Sequence, residues 1–296
     1  YVYNRNEDMV GDDANGNEPG VFTEDTMGFS LGGPIMKDNV FFYFNYEKFE
    51  QVYPAFYGPD GSGATLEAYY VTQALVDRVR ASAQSLYGFD PGTYDTEQNN
   101  VSENTFVKLN WLLNDDHEVE VSYIDTTSNL VKVRGQPPYG FSLDSQWYDD
   151  KQGVEVMTSK LFSNWSDKFS TQIVMSTRTQ TDNQDPYRGD NFPSVAIAIN
   201  NADGSCTGSS NCTNPFRTIW GSARSGQYET LRFGQDQFRY NNEIIVDSEA
   251  FSFKGFYALS ANHDLSFGYE MTEDDIMNSF RAVSYTHLTL PTNREV

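Results

Sequence analysis

The sequence is short of the side chains from which most metal and catalytic sites are built. It has 3 His and 2 Cys in 296 residues. His117 and His263 each follow a run of turn-forming residues and read as solvated turn residues rather than a shared metal site. No G-x-S-x-G, H-E-x-x-H or phosphate-loop motif occurs, so neither an enzyme nor a cofactor is expected. The adjacent acids Asp149/Asp150 and Asp274/Asp275 read as solvated loop charge rather than glycosidase carboxylates.

Positive charge is also scarce, with 20 Lys+Arg against 42 Asp+Glu and a net charge of −22. A nucleic-acid binder needs a basic footprint, so that class is excluded. No apolar run approaches the roughly 18 residues of a membrane-crossing helix. The chain opens at Tyr1 without Met or an apolar leader, and the expectation is an internal fragment. Disordered acidic chains are poor in aromatics, whereas this one is 15% Phe, Trp and Tyr. A mean hydropathy of −0.58 is low for a helical membrane protein. It does not exclude a β-barrel, in which only alternate residues of each strand face lipid.

Cys206 and Cys212 lie in SCTGSSNC, a spacing that suits a small loop disulfide and an oxidising compartment. A metal pair has no nearby His to support it, and free thiols stay open.

What the chain does have is alternation. In Gly28 to Glu50, Met27, Phe29 and Leu31 share one parity before Lys37-Asp38-Asn39, and Val40, Phe42, Phe44 and Tyr46 share one after it. Side chains on a strand point to opposite faces with period two, so this is a hairpin with one apolar face. The pattern recurs three times. Val107, Leu109, Trp111 and Leu113 precede Asn114-Asp115-Asp116, and Val119, Val121 and Tyr123 follow it. Met157, Leu161 and Trp165 precede Ser166-Asp167-Lys168, blurred by Val156 and Phe162, and Phe169, Ile173 and Met175 follow. Phe251, Phe253, Tyr257 and Leu259 precede Ser260-Ala261-Asn262, and Leu265, Phe267, Tyr269 and Met271 follow.

Between the hairpins run connections of tens of residues, 51–101, 126–152 and 181–237. The first carries helical spacing from Leu66 to Leu86, with Leu66, Tyr70, Leu75, Val79 and Leu86 near one face and Gly88 as a stop. The second, containing GQPPYG and QWYDDKQG, reads as a polar connection. In residues 1–24, Asp12, Asp13, Asn15, Asn17 and Glu18 crowd oxygen ligands but miss the calcium-loop spacing, so a solvated linker is expected.

Short turns alternating with long connections are the asymmetry of outer-membrane barrels, whereas soluble sandwiches space their strands more evenly. Phe41, Phe42, Trp111, Phe162, Trp165, Phe169 and Phe267 lie near the short turns, where the outward-facing ones among them suit an interfacial girdle. Alternating stretches of about 9–11 residues match a tilted spanning strand. The expected fold is all-β: about eight strands of an antiparallel up-and-down transmembrane β-barrel, with long extracellular loops and one short loop helix.

GFSLGGPIMKDNVFFYFNYEKFE resembles the opening barrel hairpin of TonB-dependent outer-membrane receptors, in particular the Oar-like branch. TFVKLNWLLNDDHEVEVSY, LFSNWSDKFSTQ and NHDLSFGYE resemble later strands and turns of that branch. The resemblance covers most of residues 1–282. It implies the end of a plug domain over 1–24, a partial barrel over 25–283, and a parent barrel of about 22 strands in a Gram-negative outer membrane. It also implies energy-coupled uptake of an unidentified extracellular ligand, driven by TonB–ExbB–ExbD through the plug. The final stretch 284–296, SYTHLTLPTNREV, resembles translated sequencing-adapter read-through and is expected to be non-native.

Should the loops hold ligand, the residue types enriched at binding hot spots are Trp147 and Tyr148 in one loop and Tyr187, Arg188 and Trp220 in another. The Arg-Gly-Asp triplet at 188–190 reads as incidental. The competing reading is a soluble, surface-exposed β-sandwich that binds glycan or protein. A passive porin or adhesin barrel is a third, and the GGP hairpin speaks against it by resemblance.

Overall fold

The computed structural model describes residues 1–12, 20–54, 56–135, 140–189, 191–199, 230–239 and 242–280. Asp13, Asn15, Asn17, Glu18, Cys206, Cys212, Trp220 and the 284–296 stretch lie outside the described residues. In chain order the elements begin with β1 (Val2–Asn6), β2 (Thr23–Met36), β3 (Val40–Tyr53), β4 (Tyr57–Pro59), β5 (Leu66–Ala68) and α1 (Gln73–Tyr87). There follow β6 (Gln98–Asn114), β7 (His117–Lys132), β8 (Phe141–Ser142), β9 (Tyr148–Ser166) and β10 (Phe169–Pro186). The described elements end with β11 (Val195–Ala198), β12 (Thr230–Phe233), β13 (Asn242–Ser260) and β14 (His263–Phe280).

Nine strands form one antiparallel sheet in the order β1-β2-β3-β6-β7-β9-β10-β13-β14. Each hairpin read from alternation is present as a neighbouring pair, and consecutive long strands sit side by side. The register gives the faces directly. Phe42, Leu109, Val121, Ser159, Met175, Phe251 and Met271 pair across the sheet in one row. The adjacent row, Tyr43, Lys108, Ser122, Thr158, Ser176, Ala250 and Thr272, points to the other side. One face is therefore apolar near the short turns and the other polar. The polar face carries charge matched within itself. Glu120 accepts from Lys108 at 2.7 Å and from Lys160 at 2.8 Å, and Lys254 meets Glu270 at 3.1 Å.

Three of the four short turns share a construction. Asn114 Oδ1 accepts from the Asp116 N–H at 2.9 Å, while Ser166 Oγ and Ser260 Oγ accept from the Lys168 and Asn262 N–H groups at 3.3 Å. A side chain bonding the backbone two residues on is the ordinary device of Asx and Ser turns. Beside each turn the register slips by one residue, at Pro34/Met36, Leu112/Asn114, Phe169/Ser170 and Ala258/Ser260. The residues left out of the pairing are Ile35, Leu113, Trp165 and Leu259. All four are large, apolar and exposed.

Three sequence expectations change. The strands are longer than the apolar alternation implied: β6 has 17 residues, and β9 and β13 have 19 each. The ladder continues through polar stretches such as 99–105 and 149–155 because backbone pairing needs a neighbouring strand, not apolar side chains. Residues Val2–Asn6 pair with Thr23–Met27 and add a ninth strand to the roughly eight expected. The helix begins at Gln73 rather than Leu66, because Thr72 caps it and Leu66–Ala68 pairs in parallel with Tyr57–Pro59. Its buried face is Val76, Val79 and Ala83, and Leu86 is exposed. Gly88 closes it at φ 65°, where a residue without Cβ is least strained, and its N–H reaches the Gln84 carbonyl at 3.0 Å.

Thr72 Oγ1 accepts from the Leu75 N–H at 3.2 Å. Thr72→Ala is expected to cost about 1 kcal/mol and Thr72→Ser close to nothing. Denaturant unfolding followed at the helix reads this, and equal midpoints for both variants would count against the cap.

Candidate functional site

The described sheet has no second layer packed on it. The buried apolar residues gather instead at the end opposite the short turns, where the long connections meet. Tyr57, Ala68 and Val71 come from the first connection with Val76, Val79 and Ala83 of α1. Phe141, Leu143 and Trp147 come from the second, and Phe192, Leu231 and Phe233 from the third. Strand β12 of the third connection lies between β11 and β8 and pairs in parallel with β8 of the second. Phe89 and Phe192 stack with centroids 4.0 Å apart and planes 6° from parallel.

The centre of this cap is the stretch Phe141–Trp147. Every residue in it is at most 3% exposed, polar and apolar alike. This overturns its reading as a polar connection. Buried polar groups need partners, and here each has one. Trp147 Nε1 donates to Tyr57 Oη and to Ser142 Oγ, both at 3.2 Å. Tyr57 Oη donates to the Ser142 carbonyl at 2.7 Å. Ser145 Oγ donates to the Pro91 carbonyl at 2.7 Å and accepts from the Gly234 N–H at 2.9 Å. Gln146 Nε2 reaches Ser194 Oγ at 3.1 Å and the Phe233 carbonyl at 3.2 Å.

Asp144 joins all three connections. Its carboxylate accepts from the Thr93 N–H at 3.2 Å, from Thr96 Oγ1, and from Arg188 through both Nε and NH2, the latter at 2.8 Å. A planar guanidinium suits this two-pronged contact. Gly92 is required beside it: φ is 77°, and a Cβ there would fall 1.6 Å from Asp144 Oδ1. The contact with Asp144 holds the Arg188 guanidinium above its ordinary range. Burial pushes the Tyr57 phenol well up and holds Arg232 down.

The structure therefore brings Trp147, Tyr187 and Arg188 together, and each is already engaged. The Tyr187 N–H bonds the Trp147 carbonyl at 3.0 Å, and their rings lie 6.1 Å apart. Tyr148 is buried on the neighbouring side, with the Arg239 guanidinium 4.7 Å and that of Arg134 5.9 Å from its ring centre. Arg188 of the Arg-Gly-Asp triplet is tied inward by Asp144. Asp144, Ser142, Gln146 and Tyr57 were missed by the sequence reading. The alternation of Phe141 and Leu143 was the available signal, masked by the polar residues between them. Among the described residues no group of three or more His, Cys, Asp or Glu is placed to hold a metal.

Removing one partner of a buried ion pair leaves the other uncompensated. Asp144→Asn is expected to destabilise the cap by about 3 kcal/mol and Arg188→Lys by less. Limited proteolysis of the 54–97 and 187–199 connections reads this, and unchanged resistance in Asp144→Asn would remove Asp144 as the tie.

No family model and no curated protein matches the chain. Among solved structures, the outer membrane transporter YddB from Escherichia coli matches with a TM-score of 0.52 at 11% identity. The match covers 89% of this chain and 27% of that one, so the chain spans about a quarter of the transporter's length. At that identity the likeness shows the fold alone: the long antiparallel sheet is arranged as in an outer-membrane transporter barrel.

Proposed function

We propose that this chain is part of the wall and outer loops of a TonB-dependent outer-membrane transporter that takes up an extracellular ligand. The observation that carries the reading is the exposed apolar face. Phe29, Leu31, Trp111, Met157, Met175 and Tyr269 lie on it, each more than a third exposed. A soluble sandwich would bury such a face under a second sheet about 10 Å away. Lipid is the cover that suits a single layer with one apolar and one polar side, the polar side then facing the lumen.

The dimensions agree. Val40 to Tyr46 is apolar on this face, and Lys48 and Glu50 follow. Extended, that stretch spans about 20 Å along the strand. At the tilt of barrel strands that is about 15 Å along the membrane normal, and the bulged Ile35, Leu113, Trp165 and Leu259 extend it at the turn edge toward the apolar band of about 25 Å in outer-membrane barrels. No described helix is long and apolar enough to cross a membrane, which says nothing against strands.

Energy coupling and membership of the Oar-like branch rest on the sequence motifs of the first hairpin. In this reading the short turns face the periplasm and the cap faces outward. The plug conveys the pull of TonB–ExbB–ExbD, and ligand contacts lie on the loops. Trp147 and Arg188 serve there by holding the cap together, with Tyr148 and Tyr187 packed beside them. Trp220 falls in the same connection as Tyr187 and Arg188 in the sequence.

Two tests follow. In cells, the full-length receptor of which this chain forms the wall is expected in the outer-membrane fraction and to be retained, through its plug, by a periplasmic TonB domain; recovery as a water-soluble monomer would overturn the reading. A paired substitution reads the faces. Val121→Arg, on the apolar side, is expected to cost about 2–4 kcal/mol of stability in bilayers, and Ser122→Arg, on the polar side, much less. Equal costs would contradict the lipid assignment.

A further inference from the structure

The division of the sheet into an apolar and a polar face holds near the short turns and reverses toward the cap. The row Asp125, Glu155, Thr179, Asp247 and Asp275 continues the apolar face, yet it carries four carboxylates. On the lumenal face, the two rows that flank it gather apolar side chains instead. Ile124 pairs with Val156 in one, and Val154, Val246 and Ile276 lie in the other. None of these five belongs to the apolar cluster of the cap, and Ile124 and Ile276 are 38% and 63% exposed.

Arg178 stands at the edge of this patch, with Val156 opposite it on one side and Ser248 on the other. It is exposed, and its guanidinium bonds the Gln180 side-chain carbonyl but no carboxylate of the described residues. That sets it apart on the lumenal face of the large sheet. Arg5 meets Glu24, Lys108 and Lys160 share Glu120, Lys132 meets Asp150, and Lys254 meets Glu270. Asp274 lies in the row of Arg178 but two strands away, about 10 Å. In a chain of net charge −22, an unanswered guanidinium is an exception.

Charge and shape together narrow the chemistry. A guanidinium takes a carboxylate with two parallel bonds. Ser248 beside it, and Thr158 and Ser176 in the row nearer the turns, add hydroxyls on the same face. Toward the cap the apolar residues run from the Val154 row to Ile244 in the row beyond, about 7–13 Å along the strands. Asp182, opposite Ile244, disfavours a second negative charge at that far end. An apolar lining with a few placed polar groups is the ordinary make-up of a small-molecule site.

We propose that this lumenal patch holds the cargo, and that the cargo is a small amphiphilic carboxylate. Its acid group meets Arg178, and its apolar body lies over Val154, Val246 and Ile276. The inference rests on the transport reading and deepens it by naming a class of cargo. A wholly polar cargo leaves the apolar side chains bare, and an apolar one without an acid leaves Arg178 unanswered.

The test uses the full-length receptor in lipid nanodiscs, with empty nanodiscs to subtract partition into lipid. Calorimetric titration compares octanoate, octanamide and acetate. The wild type is expected to bind octanoate about tenfold more tightly than octanamide, as one charge-assisted bond would give. It is expected to bind octanoate about a hundredfold more tightly than acetate, as burial of about four methylenes would give. Arg178→Gln is expected to remove the preference over octanamide and Arg178→Lys to keep most of it. Val154→Asn combined with Val246→Asn is expected to remove most of the preference over acetate. Absence of octanoate binding, or equal binding of octanoate and either other probe by the wild type, would overturn the proposal. So would an undiminished preference over octanamide in Arg178→Gln. Should the Val154→Asn, Val246→Asn pair open a conducting channel in planar bilayers while binding octanoate as the wild type does, the patch packs against the plug and the proposal falls. A receptor absent from the outer-membrane fraction fails the transport reading itself, an outcome distinct from these.

Discussion

The backbone ladder between neighbouring long strands is the constraint on which the rest depends. Once each strand pairs with the next in chain order, side-chain parity decides which residues face which side. A slip of one residue would carry Phe42, Leu109 and Val121 to the polar face and Lys108 and Ser122 to the apolar one. The register therefore separates two environments with no core between layers. The bulges at Ile35, Leu113, Trp165 and Leu259 are where the ladder gives way, always one residue before the turn closes. There they return a large apolar side chain to the exposed edge of the sheet.

Ordinary globular burial happens elsewhere, in the cap. The three long connections share one apolar cluster, and Phe141–Trp147 runs through its middle with every polar group answered. Asp144 draws Thr93, Thr96 and Arg188 to one carboxylate, so the connections are held to each other and not only to their own strands. The sheet supplies two chemically distinct faces, and the cap supplies a fixed surface at one end of it.

The hairpins were legible because a half-exposed strand writes its period into the sequence, as in Val119, Val121 and Tyr123 against Glu118, Glu120 and Ser122. The turns were legible from Asn, Asp and Ser at fixed places. The strand ends were not, since Asn99 to Thr105 pairs fully while carrying little apolar alternation. The helix start was misplaced because Leu66 and Tyr70 extend the helical spacing by chance, although Thr72 marked the true cap. The cap was least legible. Burial of Ser142, Asp144 and Gln146 depends on partners 44 to 88 residues away, such as Arg188, Thr96 and Gly234, and no local pattern records such pairings.

The central claim is that the apolar face of the sheet meets lipid. Single cysteines placed from Glu118 to Asn129 in β7, in a background without Cys206 and Cys212, can carry a fluorophore in bilayers containing a lipid-attached quencher. The account predicts strong quenching at positions 119, 121 and 123, little at 118, 120 and 122, and a fall on the same face beyond Asp125. Uniformly weak quenching along the strand, with every position open to a water-borne reagent, would contradict it.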